Sequence, residues 1–137
     1  MPIINAYLTF NGNCRDAMIF YQNCLGGELS LQTIGDSPMG EQLPPHIHTY
    51  IVHATLRRNN LIIMASDMVG EKGLIKGNHV SLMLNCKSVA EITTLYAQLS
   101  TDGEATQPLA ETFWDAIFGS LIDKFGIHWL LNFDRNQ

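Results

Sequence analysis
Six residues in this chain carry side chains that suit chemistry or ligand contact: Tyr7, His53, Asp67, His79, Glu111 and Trp114. His79 opens a run in which polar and apolar residues alternate, and an imidazole there suits a general base or a ligand-binding donor. Its structural alternative is a strand histidine bonded to nearby backbone. Glu111 stands beside Phe113 and Trp114. A carboxylate among aromatic rings is a candidate acid or base, because apolar surroundings disfavour its charge. It could equally cap a hairpin or pair with Lys or Arg. Asp67 closes a strand-like run, where a carboxylate serves a ligand or a turn. His46, His48 and His53 invite a metal reading, since alternate strand residues share a face. But His46 follows Pro44-Pro45, and no Cys or carboxylate completes a set. Cys14, Cys24 and Cys86 lack metal-type spacing and read as buried reduced thiols. Gly26-Gly27 and the glycines of 70–77 form no GxGxxG or GxxxxGK pattern, so a phosphate cradle is not expected.

The elements that must position these residues follow one order twice. Ile4 to Phe10 alternates as a half-buried strand. Asn13 is a candidate N-cap for a helix to about Leu25, with Ala17, Met18, Tyr21, Cys24 and Leu25 on one stripe. Gly26-Gly27 ends it. Strands follow at Glu28 to Ile34, His48 to Arg57 and Leu61 to Ser66, with a loop over 35–45. The order then restarts. His79 to Cys86 is a strand, and Ser88-Val89-Ala90-Glu91 has the form of a capping box. The helix to about Ser100 carries Val89, Ile92, Leu95, Tyr96 and Leu99 on one face. Glu104 to Leu109 is a short strand. Thr112 to Ile122 and Ile127 to Phe133 form a hairpin around Asp123-Lys124-Phe125-Gly126, with Asp starting the turn and Gly closing it. The expectation is an α+β fold over 1–137, with βαβββ modules at 1–67 and 78–133.

Alternation then assigns faces. Each helix covers one face of its sheet, and the opposite faces are expected to line a cleft. Asn5, Tyr7, Ile62, Met64 and Ser66, and His79, Ser81, Met83, His128, Leu130 and Asn132, fall on the cleft side. Val80, Leu82 and Leu84 fall under a helix.

Composition narrows the function classes. The chain has 137 residues, 46% of them hydrophobic, and a net charge of −5. No basic stripe marks a nucleic-acid binder. No apolar run approaches the roughly 20 residues of a membrane span. The start, MPIINAYLTF, lacks a signal-peptide pattern. The thiols and this start suggest a cytoplasmic protein. The apolar Trp129-Leu130-Leu131, Phe113-Trp114 and Ile117-Phe118 segments suggest a homodimer.

Several stretches together resemble a known family: 8–14 (LTFNGNC), Asp16-Ala17, Phe20-Tyr21, Leu25-Gly26-Gly27-Glu28, His53-Ala54, Met64-Ala65-Ser66-Asp67, Glu111-Thr112-Phe113-Trp114, Asp123-Lys124-Phe125-Gly126 and Trp129. The chain is similar to the vicinal oxygen chelate superfamily of glyoxalase I, extradiol dioxygenases and fosfomycin- and bleomycin-resistance proteins. Within it, the PhnB-like branch is closest. The resemblance implies a glyoxalase-like cleft with the helices on the outer face, and dimers. It also implies, for the metal-dependent members, a divalent ion on the cleft side. Carried over strand by strand, the ligand positions are Asn5, Met64, His79 and Leu130, of which only His79 is a competent ligand. The branch is often labelled methyltransferase-like, yet no glycine-rich strand-to-helix loop for a methyl donor is present. The expectation is therefore a small-molecule binder without a catalytic metal. His79 and Glu111 are its candidate catalytic groups, and Tyr7, His53, Asp67 and Trp114 its candidate ligand contacts. The alternatives are a metal-dependent lyase or dioxygenase, or a protein that sequesters a drug or metabolite.

Overall fold
The alternating runs and helical stripes condense, in a computed structural model describing residues 1–136, into two compact units, Met1–Ile75 and Lys76–Gln137. Each has the order strand, helix, three strands. The first unit contains β1 (Ala6–Thr9), α1 (Cys14–Leu25), β2 (Glu28–Thr33), β3 (Ile51–Arg58) and β4 (Leu61–Ser66). Its sheet runs β1-β4-β3-β2, with β1 parallel to β4 and the other pairs antiparallel. The second contains β5 (Leu82–Asn85), α2 (Val89–Leu99), β6 (Glu104–Glu111), β7 (Ala116–Ile122) and β8 (His128–Asp134). Its sheet repeats the plan as β5-β8-β7-β6, again with one parallel pair, β5 and β8.

In the first unit α1 packs on β2, β3 and β4 through Ala17, Met18, Tyr21 and Leu25, all buried. Beneath it lie Leu8, Ala54, Leu56, Ile63 and Ala65, also buried. Removing each large apolar side chain from water contributes about 1.5–3 kcal/mol. The helix stops at Gly26, whose φ of 76° lets its N–H bond back to the Gln22 carbonyl at 2.8 Å. Its start differs from expectation. Asn13 makes no side-chain cap bond. Asp67, far along the chain, does related work: its Oδ1 accepts from the backbone N–H groups of Gly12 (2.8 Å) and Cys14 (3.0 Å). Oδ2 accepts from Ile51 N–H (2.8 Å). A buried carboxylate thus ties the β1–α1 loop, the helix start and the head of β3 together.

In the second unit α2 packs on β7 and β8. The capping box forms: Ser88 Oγ accepts from Glu91 N–H at 3.0 Å, and Glu91 Oε1 accepts from Lys87 N–H at 2.9 Å, one residue before the cap. Ile92 and Leu99 are buried, as are Leu121, Trp129 and Leu131 on the sheet. Tyr96 lays its ring over Gly119, where an added Cβ would sit 2.9 Å from the Gln107 carbonyl oxygen and 3.1 Å from the ring. The Tyr96 hydroxyl lies 2.8 Å from the Ser120 carbonyl and 3.0 Å from that of Gln107. The hairpin turn is held by Asp123. Its Oδ1 accepts from Phe125 and Ile127 N–H, and its Oδ2 from Trp129 Nε1–H at 2.8 Å.

Several boundaries differ from the alternation-based expectation. The strand begins at Leu82 rather than His79, so His79 lies in an exposed bend. Val80, expected under a helix, is 69% exposed. The Gly- and Lys-containing segment before it supplies no partner strand, and alternation without a partner does not make a strand. The arm expected from Thr112 begins at Ala116, because β6 runs on to Glu111 and Thr112–Asp115 forms the turn. The strand expected from His48 begins at Ile51, after a 3₁₀ turn over Pro45–Ile47.

Candidate functional site
Register divides each sheet into a helix-covered face and an open one. In the first unit Tyr7 pairs with Met64 and Thr55 pairs with Met64 from the other side, giving a row Tyr7–Met64–Thr55–Ser30 across the sheet. Leu8, Ala65 and Ala54, one residue on, form the buried row under α1. The open face therefore carries Tyr7 and Met64, as alternation expected. The next open row holds Thr9, Ser66, His53 and Gln32. In the second unit Leu82 and Leu84 pair with Trp129 and Leu131 under α2, and Met83 and Asn85 pair with Leu130 and Asn132 on the open face. Asn132 Nδ2–H donates to Asn85 Oδ1 at 3.3 Å.

The first unit's open face leaves hydrogen-bonding capacity unused. Tyr7 is half exposed, and its hydroxyl has no partner among the described residues. His53 Nε2 lies 3.1 Å from Thr55 Oγ1, so Nδ1 remains available. Thr55 was not singled out from the sequence, although its place two residues from His53 on one strand is the signal that finds it. Strand spacing puts Tyr7 and His53 about 12 Å apart on a diagonal across the sheet. Asp67, a candidate ligand contact, is instead buried and committed to three backbone N–H groups, a structural tie.

The other candidates lie in the second unit. Glu111 ends β6, and Trp114 lies in the tight turn that joins it to β7. Thr112 accepts and donates across it to Ala116, and Asp115 takes a φ of 60°. Glu111 Oε1 accepts from Arg135 Nη2–H at 2.8 Å, and Asp115 lies 3.7 Å from Nη1. With 75% of its side chain exposed, Glu111 is a solvated carboxylate at the end of β6 rather than one enclosed by rings. Phe113 and Trp114 meet edge to face at 4.7 Å, with Phe113 97% exposed. His79 sits exposed in its bend, with no side-chain hydrogen-bond partner among the described residues. A cavity of about 290 Å³ opens at the carboxyl ends of β5 and β8, lined by Cys86, Lys87, Phe133 and Asp134. Burial, with the nearby Glu91 charge, pushes the Cys86 thiol up to about 11, which keeps it protonated and unreactive near neutrality.

The positions where the superfamily resemblance implies a divalent ion do not offer a fitting donor set. Asn5 and His79 lie outside the strands, exposed, and in each unit the open-face pair at the parallel strands is Tyr7–Met64 or Met83–Leu130. A thioether, an aliphatic chain and one phenol do not make a site for a hard or borderline cation. Among the described residues, no group of three or more His, Cys, Asp or Glu is gathered as a metal site.

Comparison with known proteins agrees with this architecture. The sequence model of the 3-demethylubiquinone-9 3-methyltransferase family matches residues 2–132. The protein YjdN of Escherichia coli (strain K12) is 34% identical over 149 residues, spanning 100% of this chain and 98% of that one. The crystal structure of PA1353 from Pseudomonas aeruginosa is 37% identical, with 98% of each chain covered and a TM-score of 0.87. A PhnB protein from Bacillus cereus, described as a 3-demethylubiquinone-9 3-methyltransferase, is 26% identical over 96% of this chain and 99% of its own, with a TM-score of 0.74.

Proposed function
We propose, from the premise that the chain belongs to the 3-demethylubiquinone-9 3-methyltransferase family and the PhnB-like branch of the vicinal oxygen chelate superfamily, that it binds a small organic molecule. The observation that carries this reading is the first unit's open face, where the Tyr7 hydroxyl and His53 Nδ1 are uncommitted beside Met64 and Thr55. Uncommitted polar atoms set among apolar and aromatic side chains are what small-ligand sites present. Binding is favoured over catalysis because the two candidate acid–base groups, His79 and Glu111, are open to water, and Glu111 is already paired with Arg135. Methyl transfer is not part of the proposal, since no glycine-rich loop for a methyl donor follows a strand. The working form is a cytoplasmic homodimer.

The test is a thermal-shift screen of the purified protein against neutral, anionic and cationic metabolites and drugs, each with and without added divalent metal. Some compounds are expected to raise the melting temperature without metal, as ligands that bind only the folded state do. Elemental analysis is expected to find well below one tightly bound Zn, Mn, Ni or Fe per chain. About one such metal per chain, with ligand shifts that vanish on its removal, would favour the metal-dependent enzyme instead.

A further inference from the structure
We infer that the open face of the first unit takes an uncharged ligand with a flat apolar body, bound directly and with no metal ion between it and the protein. This deepens the small-molecule reading and rests on it. The chemistry of the face selects the ligand. Tyr7, Met64 and Thr55 lie in one row, and His53 in the next. Neither row contains Asp, Glu, Lys or Arg. The nearest charged positions on this face, Arg57 and Glu28, are cross-strand partners of opposite sign on the row beyond Met64, and offset one another.

A ligand carboxylate, phosphate or ammonium would be drawn onto a half-buried surface with no opposite charge in either row, and an unpaired charge there loses its hydration without recompense. A phenol ring and a thioether instead favour a flat, polarizable apolar surface. The two free hydrogen-bonding atoms, Tyr7 Oη and His53 Nδ1, can each meet a neutral oxygen or nitrogen. The same row excludes the metal-bridged alternative. Met64 stands where the superfamily resemblance implies a ligand to the ion, and a thioether paired with a tyrosine does not replace His and carboxylate donors.

The experiment titrates the full-length protein, in EDTA, with Nile red, an uncharged planar dye, and with the anionic dye 1-anilinonaphthalene-8-sulfonate, following fluorescence. Nile red is expected to saturate, and to bind at least about tenfold more tightly than the sulfonate, because the sulfonate charge has no partner on the face. Met64→Glu and Tyr7→Arg are each expected to raise the Nile red Kd about tenfold or more while leaving the melting temperature near its original value. Phe113→Ser, which removes an exposed aromatic elsewhere, should leave the Kd unchanged. Tighter sulfonate binding, a requirement for added Zn²⁺ or Mn²⁺, loss of Nile red binding on Phe113→Ser with none on Met64→Glu, or failure of Nile red to saturate would each overturn the inference. The small-molecule reading fails differently, when no compound of any charge shifts the melting temperature in the screen.

Discussion

At the scale of single residues, the carboxylates separate by what they already hold. Asp67 and Asp123 are buried and serve backbone N–H groups and an indole, whereas Glu111 is exposed and ion-paired. Asp67→Asn keeps the shape but gives up the charge and turns an NH₂ toward N–H donors. It is expected to cost roughly 2–4 kcal/mol, since bonds to a charged acceptor contribute more than neutral ones and an unmet buried N–H adds a penalty. Urea unfolding of the variant measures this. Cys14 gives a pH signature. Burial first, and the Asp67 charge second, push its thiol from 9.0 up to about 12. In the unfolded chain the thiol ionises around 9.0, while the folded protein holds the proton until about 12. The unfolded state therefore binds fewer protons across that window, so this thiol's contribution to stability is complete below it and lost as pH rises through it. Unfolding free energies between pH 8 and 12 are expected to fall less steeply in Cys14→Ala than in the parent chain.

At the scale of elements, the two helix faces make a prediction about β5. Leu82 pairs with Trp129 under α2, and His79 lies outside the strand in an exposed bend. Leu82 is only half buried, so Leu82→Ala is expected at the low end of the range for core truncations, about 2 kcal/mol. His79→Ala should change stability by less than about 0.5 kcal/mol, as exposed substitutions away from special features do. Thermal or urea unfolding of both variants checks the split. Equal losses would mean that the register at β5 and β8 is not what fixes the fold there.

At the scale of the whole molecule, the second unit leaves large apolar side chains in water. Phe113 and Val80 are 97% and 69% exposed, and Met83 and Trp114 about half. Apolar surface of this kind marks a partner face. Light scattering is expected to report a particle of twice the 15.3 kDa chain at micromolar concentration, and Phe113→Ser with Val80→Ser is expected to shift it toward the single chain. A single-chain mass for the unmutated protein would remove the homodimer from the functional proposal.

The sequence by itself determined what depends on neighbours along the chain. Apolar stripes placed both helices, period-two alternation placed Tyr7 and Met64 opposite Leu8 and Ala65, and the Ser88–Glu91 box and Gly26 marked helix ends, because each of these is a local geometry. The architecture repeated across the chain was legible for the same reason. Tertiary structure decided what depends on distant partners. Asn13 was passed over as a cap because Asp67, far along the chain, reached the helix start. His79 to Ser81 alternated without becoming a strand, since a strand needs hydrogen-bonded neighbours. Glu111 lay exposed to water beside Arg135 instead of among aromatic rings. His53 and Thr55 entered one open face with Tyr7 only once β4 had paired between them, and register between separated strands follows from the packing of the whole sheet rather than from any one stretch of it.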